Sequence, residues 1–76
     1  MSDENRNLKS TAEDMMALGL KSSLGADRVE AHKWFNIAAM MGCEAARSYR
    51  ADLSQEMDAN EIAEAQRRAR QMTTLH

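Results

Sequence analysis

Proline is absent from this sequence, and glycine occurs only three times in 76 residues. Little therefore interrupts helices. The single cysteine, Cys43, excludes an internal disulfide and is typical of a reducing compartment. No stretch approaches the ~20 apolar residues of a membrane span, and residues 1–10 lack the apolar core of a signal peptide. We expect a cytoplasmic protein that does not bind membranes.

A strong charge of one sign is also missing. Ten Lys and Arg stand against twelve Asp and Glu, so the net charge is −2, and the two signs are mixed along the chain. This balance provides no basic field for nucleic acid. The one basic run is Arg67, Arg68 and Arg70, and it follows Glu61 and Glu64. We interpret the run as a solvated helix end, and we expect no nucleic acid among the partners.

Residue patterns that carry catalysis or metal binding are scarce. His32 has no Cys, Asp or second His three or four residues away, so a metal site would need distant ligands. It also has no nucleophile near it in sequence, and the chain contains no phosphate-binding glycine loop. We expect no enzymatic activity, no catalytic residues, no cofactor and no metal site.

Helix starts can be read from capping residues. Residues 1–9 are polar, and we expect them to be a disordered lead before a single domain over 10–76. A first helix begins near Thr11, and a third runs from about Glu44 to Ser54. The second and fourth begin at Asp27 and Asp58, each with Glu three residues later, which is capping-box spacing. Gly42 is typical of a helix C-terminus.

Apolar residues at helical spacing predict which face of each helix is buried. On the second helix this face holds Ala31, Trp34, Phe35, Ala38, Ala39 and Met41, and we expect both aromatic rings in the core. On the third helix it holds Ala45, Tyr49 and Leu53, with Arg47 and Arg50 outward. On the fourth helix it holds Ile62, Ala65, Ala69 and Met72.

No segment alternates apolar and polar residues over the length of a strand, so we expect an all-α fold of about four helices. The connections are short, and short connections make consecutive helices antiparallel neighbours. The sequence thus predicts two antiparallel helical hairpins, one over residues 11–42 and a second over 43–74.

The first hairpin contains a run of residue types at characteristic spacing. These are Leu18-Gly19, Gly25, Asp27, Glu30-Ala31, Lys33-Trp34-Phe35, Ala38-Ala39 and Gly42. On these residues, the segment 12–42 resembles a Sel1-like repeat, a relative of the tetratricopeptide repeat. It departs from that pattern at Ser22, where the family usually has Tyr. We interpret the segment after Gly42 as a degenerate second repeat that caps the first, because it resembles the family at Glu44-Ala45-Ala46 but has Arg50-Ala51 where the family has Leu-Gly.

The resemblance implies that the hairpins stack as a short α-solenoid whose surface binds another protein or peptide. It implies an adaptor or regulatory scaffold, a protein–protein interaction module. We name Arg47, Arg50 and Met40 as candidate partner-binding residues, since Met40 lies opposite the predicted buried face. Two alternatives stay open: a homo-oligomer that completes its own solenoid, and a small nucleic-acid-binding protein.

Overall fold

Four α-helices and no strand make up residues 2–73, the part of the chain that the computed structural model describes. Their bounds are α1 (Ser2–Leu24), α2 (Arg28–Met40), α3 (Glu44–Ser54) and α4 (Ala59–Thr73). Side chains are described from residue 12 to residue 73. The predicted all-α fold with four helices is confirmed.

Helix ends follow the capping residues in the sequence. The carboxylate of Asp27 accepts a hydrogen bond from the backbone N–H of Glu30 at 3.2 Å. At α4 the capping box is complete, with Glu61 N–H bonding Asp58 at 2.8 Å and Asp58 N–H bonding Glu61 at 3.0 Å. Gly42 ends α2 with φ +100°, a left-handed conformation that favours glycine.

The start of α1 differs from the expectation. The helix begins at Ser2, so residues 2–9, expected as a disordered lead, belong to its backbone. Thr11 lies within α1 and not at its start. Residues 2–11 contain neither proline nor glycine, so nothing in them stops a helix. Residue 1 of the expected lead and residues 74–76 of the predicted domain lie outside the part of the chain that the structure describes.

The core is built on α2, which packs against α1, α3 and α4. Phe35 is 2% exposed, and its ring stacks on that of Tyr49 with the centroids 5.3 Å apart. Buried alanines on α2, α3 and α4 bring the helix backbones close together. The core cluster consists of Ala31, Phe35, Ala38, Ala39, Ala46, Leu53, Met57 and Ala65.

Several side chains lie on a different face from the one expected. Trp34 is only half-buried, and its ring contacts Lys33, whose Nζ lies 4.0 Å from the ring centre. On α3 the buried alanine is Ala46, while Ala45 is exposed. Tyr49 stacks on Phe35 but is 45% exposed. The reason is that α2 meets helices on three sides, so its buried arc extends over His32 and Lys33 and leaves Trp34 at the edge.

The apolar ends of α2 and α4 are also more open than expected. Met41 and Met72 were predicted to lie on buried faces, but both are partly exposed. Each lies at the C-terminal end of its helix, beyond the alanines that make the close helix contacts. Exposed apolar surface is therefore present at the C-terminal ends of α2 and α4.

Cross-helix bonds give the helix directions. Arg28 pairs with Glu61, and further along both helices Glu30 pairs with Arg68, so α2 and α4 are parallel. His32 bonds Ser54 whereas Asn36 bonds Arg50, so α2 and α3 are antiparallel. Helices α2 and α4 are one hairpin apart in sequence, and their parallel packing is compatible with stacked hairpins.

Candidate functional site

Ion pairs connect the first turn of α2 to α4. Glu30 accepts from Arg68 at 2.6 Å and pairs with Lys33 at 2.9 Å. Arg67 and Arg68 both donate to Glu64, Arg67 at 2.6 Å and Arg68 at 2.7 Å. Hydrogen bonds from Arg67 and then Arg68 lower the pKa of Glu64 to about 2. Arg67 and Arg68 of the basic run are therefore paired with carboxylates within the fold, which weakens their field at the surface.

A chain of polar side chains joins α2 to α3. Ser54 Oγ donates to the backbone carbonyl of Arg50 and lies 2.9 Å from His32 Nε2. Farther along the interface, Arg50 donates to the side-chain oxygen of Asn36 at 2.5 Å. Arg50 was expected to face outward, but it is half-buried because this amide lies opposite it on α2.

The contact between His32 and Ser54 places a hydroxyl beside an imidazole, which sequence spacing did not predict. Ser54 has one hydroxyl hydrogen and donates it to Arg50, so the hydrogen in its bond with His32 comes from Nε2. A general base for Ser54 would need a lone pair on that same nitrogen. His32 is also 2% exposed, so a substrate cannot reach it. This geometry favours a structural role for the pair.

The same tautomer leaves the other ring nitrogen of His32 without a hydrogen. Nδ1 is buried and has no hydrogen-bond partner among the described residues. Burial lowers the pKa of His32 from its usual 6.5, and the nearby charge of Arg50 lowers it further. The interface between α2 and α3 thus holds a neutral histidine whose protonation the fold opposes.

A groove runs between α2 and α4 near their C-terminal ends. It encloses about 290 Å³ and is lined by Asn36, Met40, Gln66, Arg70 and Thr73. The side chains of α4 that line it recur at i, i+4 and i+7, so they form one stripe beside the alanine stripe that contacts α2. Among the described residues no carboxylate lines this groove, and the lining mixes one flexible apolar side chain with amides, a hydroxyl and a guanidinium.

One of the three predicted partner-binding residues lies in this groove. Met40 lines it and is 61% exposed. Arg50 is not a lining residue, although it donates to the side chain of Asn36, which lines the groove. Arg47 is exposed on α3 but is not among the lining residues. The sequence analysis did not predict Asn36, Gln66 or Thr73 as site residues. Helical spacing indicated that Gln66 and Thr73 share a face of one helix. It could not show that α2 and α4 place their faces together.

Residues 2–73 were considered for two further kinds of feature, a metal site and a membrane-spanning helix, and they contain neither. No group of three or more His, Cys, Asp or Glu side chains in the described part is placed to hold a metal ion. None of the helices described is both long and apolar enough to span a bilayer. Cys43 precedes α3 as its N-cap without a side-chain capping bond, and it is half-buried against the core.

Comparisons with models of protein families, with curated proteins and with solved structures find no match to this chain.

Proposed function

We propose that this chain is a protein–protein interaction module that binds a segment of another polypeptide in the groove between α2 and α4. The groove itself carries this proposal, because it places an exposed methionine beside amide and guanidinium donors. Recognition grooves for peptides and helices combine an apolar contact with a few polar groups that set the orientation. The resemblance to Sel1-like repeats over residues 12–42 supports the same function.

Exposed methionines extend the apolar contact beyond the groove. Met41 and Met72 are partly exposed and lie, like Met40, at the C-terminal ends of the parallel helices α2 and α4. Methionine side chains are flexible and polarisable, so a surface that contains several of them adapts to different apolar partners. An amphipathic helix that lies across this end would bury all three.

A protein capture experiment with two matched variants tests the proposal. Met40→Glu places a charge in the groove, whereas Leu24→Glu places the same charge at the C-terminal end of α1, on an apolar side chain that is 91% exposed and outside the groove lining. We expect proteins captured from the native cell by the parent chain to be retained by Leu24→Glu and lost by Met40→Glu. Equal capture by both variants would show that the groove is not the binding surface.

Self-association is the second candidate, since a second copy could cover the exposed methionines. Light scattering over a range of concentrations separates it from the first. A mass that doubles with concentration in the parent but not in Met40→Glu would assign the groove to a second copy of this chain. A constant monomer mass favours a different polypeptide as the partner. We also propose that the protein acts as an adaptor in the cytoplasm.

A further inference from the structure

We infer that the outer face of α1 forms a symmetric dimer with α1 of a second copy of this chain. The contact centres on Leu18, and on each side of it Asp14 of one copy lies beside Lys21 of the other. This inference does not depend on the proposed function, because none of these three residues lines the groove between α2 and α4.

Leu18 and Trp34 lie on one side of the hairpin that α1 and α2 form. Gly19 faces the ring of Phe35 so closely that a Cβ atom on Gly19 would lie 2.5 Å from it, and this contact fixes the register of the two antiparallel helices. The residue before each of them is rotated by about 100°, and in antiparallel helices both rotations lead to the same side. Leu18 is 38% exposed and Trp34 is half-buried, so this side presents apolar surface.

Helix α3 lies on the other side of α2 and leaves this surface uncovered. It contacts α2 through His32, Phe35 and Asn36. Trp34 is two residues from both His32 and Asn36, which is about 200° around the helix. Asn36 also lines the groove between α2 and α4, so the groove and the apolar side face in nearly opposite directions. A dimer formed through α1 therefore leaves the groove of each copy open.

Charges on α1 are placed to match a second copy. Asp14 and Lys21 are seven residues apart, about two helical turns, so they project from nearly the same position on the helix surface, with Leu18 between them. Both are exposed, and no described residue forms an ion pair with either of them. The face thus carries one unpaired acid and one unpaired base, four and three residues from Leu18.

These charges select the direction in which the two helices run. In a symmetric antiparallel pair that crosses near Leu18, Asp14 of each copy meets Lys21 of the other, and two attractive contacts form. In a parallel pair equivalent positions face each other, so Asp14 would lie beside Asp14 and Lys21 beside Lys21. Ala17, the small exposed residue next to Leu18, allows the two helices to approach closely.

Reversal of charge tests the inference, because a symmetric contact responds in a way that a purely structural residue does not. Asp14→Lys and Lys21→Glu each turn both attractive contacts into repulsive ones, so the dimer Kd of either variant should rise about tenfold or more. An equimolar mixture of the two variants restores opposite charges at both contacts and should form a heterodimer about as tight as the parent dimer. Sedimentation equilibrium at low salt measures each case.

Two leucine variants locate the apolar part of the contact. Leu18→Glu should leave the chain monomeric, whereas Leu20→Glu should dimerise like the parent. The two leucines are matched, since each is 38% exposed, but they lie about 200° apart on α1. Circular dichroism should show that all of the variants keep the helical content of the parent.

Three results would overturn the inference. A parent chain that stays monomeric at every concentration would do so, as would a mixture of Asp14→Lys and Lys21→Glu that associates no better than either variant alone. Met40→Glu, which tests the groove, should leave this dimer unchanged. A dimer that is lost in Met40→Glu and kept in Leu18→Glu would assign self-association to the groove and not to α1.

Discussion

At the residue scale, Gly19 lies where the ring of Phe35 meets α1. A Cβ atom built on Gly19 would lie 2.5 Å from two carbons of that ring. No real Cβ atom tolerates such a distance, so a side chain here requires the ring to move. Phe35 is 2% exposed and has little space to move into. The contact explains why α1 needs glycine within a helix, where it otherwise destabilises.

Gly19→Ala should therefore lower the free energy of unfolding by about 1–3 kcal/mol, although alanine alone favours a helix by up to about 1 kcal/mol. Thermal unfolding followed by circular dichroism measures the change. Gly25→Ala is the matched control, because the nearest atom to its added Cβ would be 3.6 Å away. Its stability should stay within about 1 kcal/mol of the parent. A Gly19→Ala variant as stable as the parent would show that Phe35 does not pack on α1.

The two neighbouring aromatic residues of α2 should differ in their importance. Phe35→Ala should cost about 3–5 kcal/mol, which is typical of a buried aromatic ring and approaches the whole stability of a small domain. Trp34→Ala should cost clearly less, because its ring is half-buried and lies under Lys33. Urea unfolding of both variants, followed by circular dichroism, compares them. A larger loss for Trp34→Ala would mean that α2 is rotated from the orientation described.

At the element scale, His32 and Ser54 make the interface between α2 and α3 sensitive to pH. The pKa of His32 is lower in the folded state than its usual 6.5, so the unfolded chain binds more protons as the pH falls below about 6.5. Stability contributed by the neutral ring is fully present above that pH. It declines as the pH falls toward the lowered folded pKa, and below that value it changes no further.

The parent chain should therefore unfold more easily at pH 5 than at pH 7. His32→Gln keeps a donor for Ser54 and removes the titration, so its stability should change little over the same interval. Chemical unfolding at several pH values measures both. Below about pH 4.5 both chains should weaken together, because the pKa values of Glu30 and Glu64 are lowered in the fold by their ion pairs. Parallel curves for the two chains between pH 5 and 7 would contradict the role given to His32.

At the scale of the whole molecule, α2 is the element that the other three helices share. Helix α4 covers one side of it with Ala65 and Ala69, both nearly inaccessible, and adds ion pairs to the first turn of α2. Removal of α4 would expose the side of α2 that it covers to water. A chain of this size buries a modest fraction of its surface, so it has little stability in reserve.

Deletion of residues 58–76 should abolish cooperative thermal unfolding or lower the melting temperature by more than about 10 °C, since a loss of 1 kcal/mol already shifts a domain of this size by about 4–8 °C. Circular dichroism with temperature measures the transition. Deletion of residues 74–76 alone keeps all of the described α4, Ala59–Thr73, and serves as the control. Equal melting temperatures for the long deletion and the parent would show that α4 is not part of the cooperative unit.

Local structure was largely readable from the sequence. The bounds of α3, the caps at Asp27 and Asp58 and the left-handed Gly42 all follow from interactions within a few residues. Such interactions need no knowledge of the rest of the fold. The i, i+4 pair of Glu64 and Arg68 was predictable for the same reason.

Tertiary structure alone decided which faces meet. The sequence showed an apolar arc on α2, but contact with three helices placed Trp34 at its edge and buried His32. The groove was not predictable as a unit, because Asn36 and Met40 come from one helix and Gln66, Arg70 and Thr73 from another about one hairpin later. Helical periodicity determines which residues of one helix share a face, whereas the relative rotation of two helices depends on how all their side chains pack together. The sequence by itself therefore determined the four helices and the ends marked by caps, though not the start of α1, and packing around α2 decided where the groove lies.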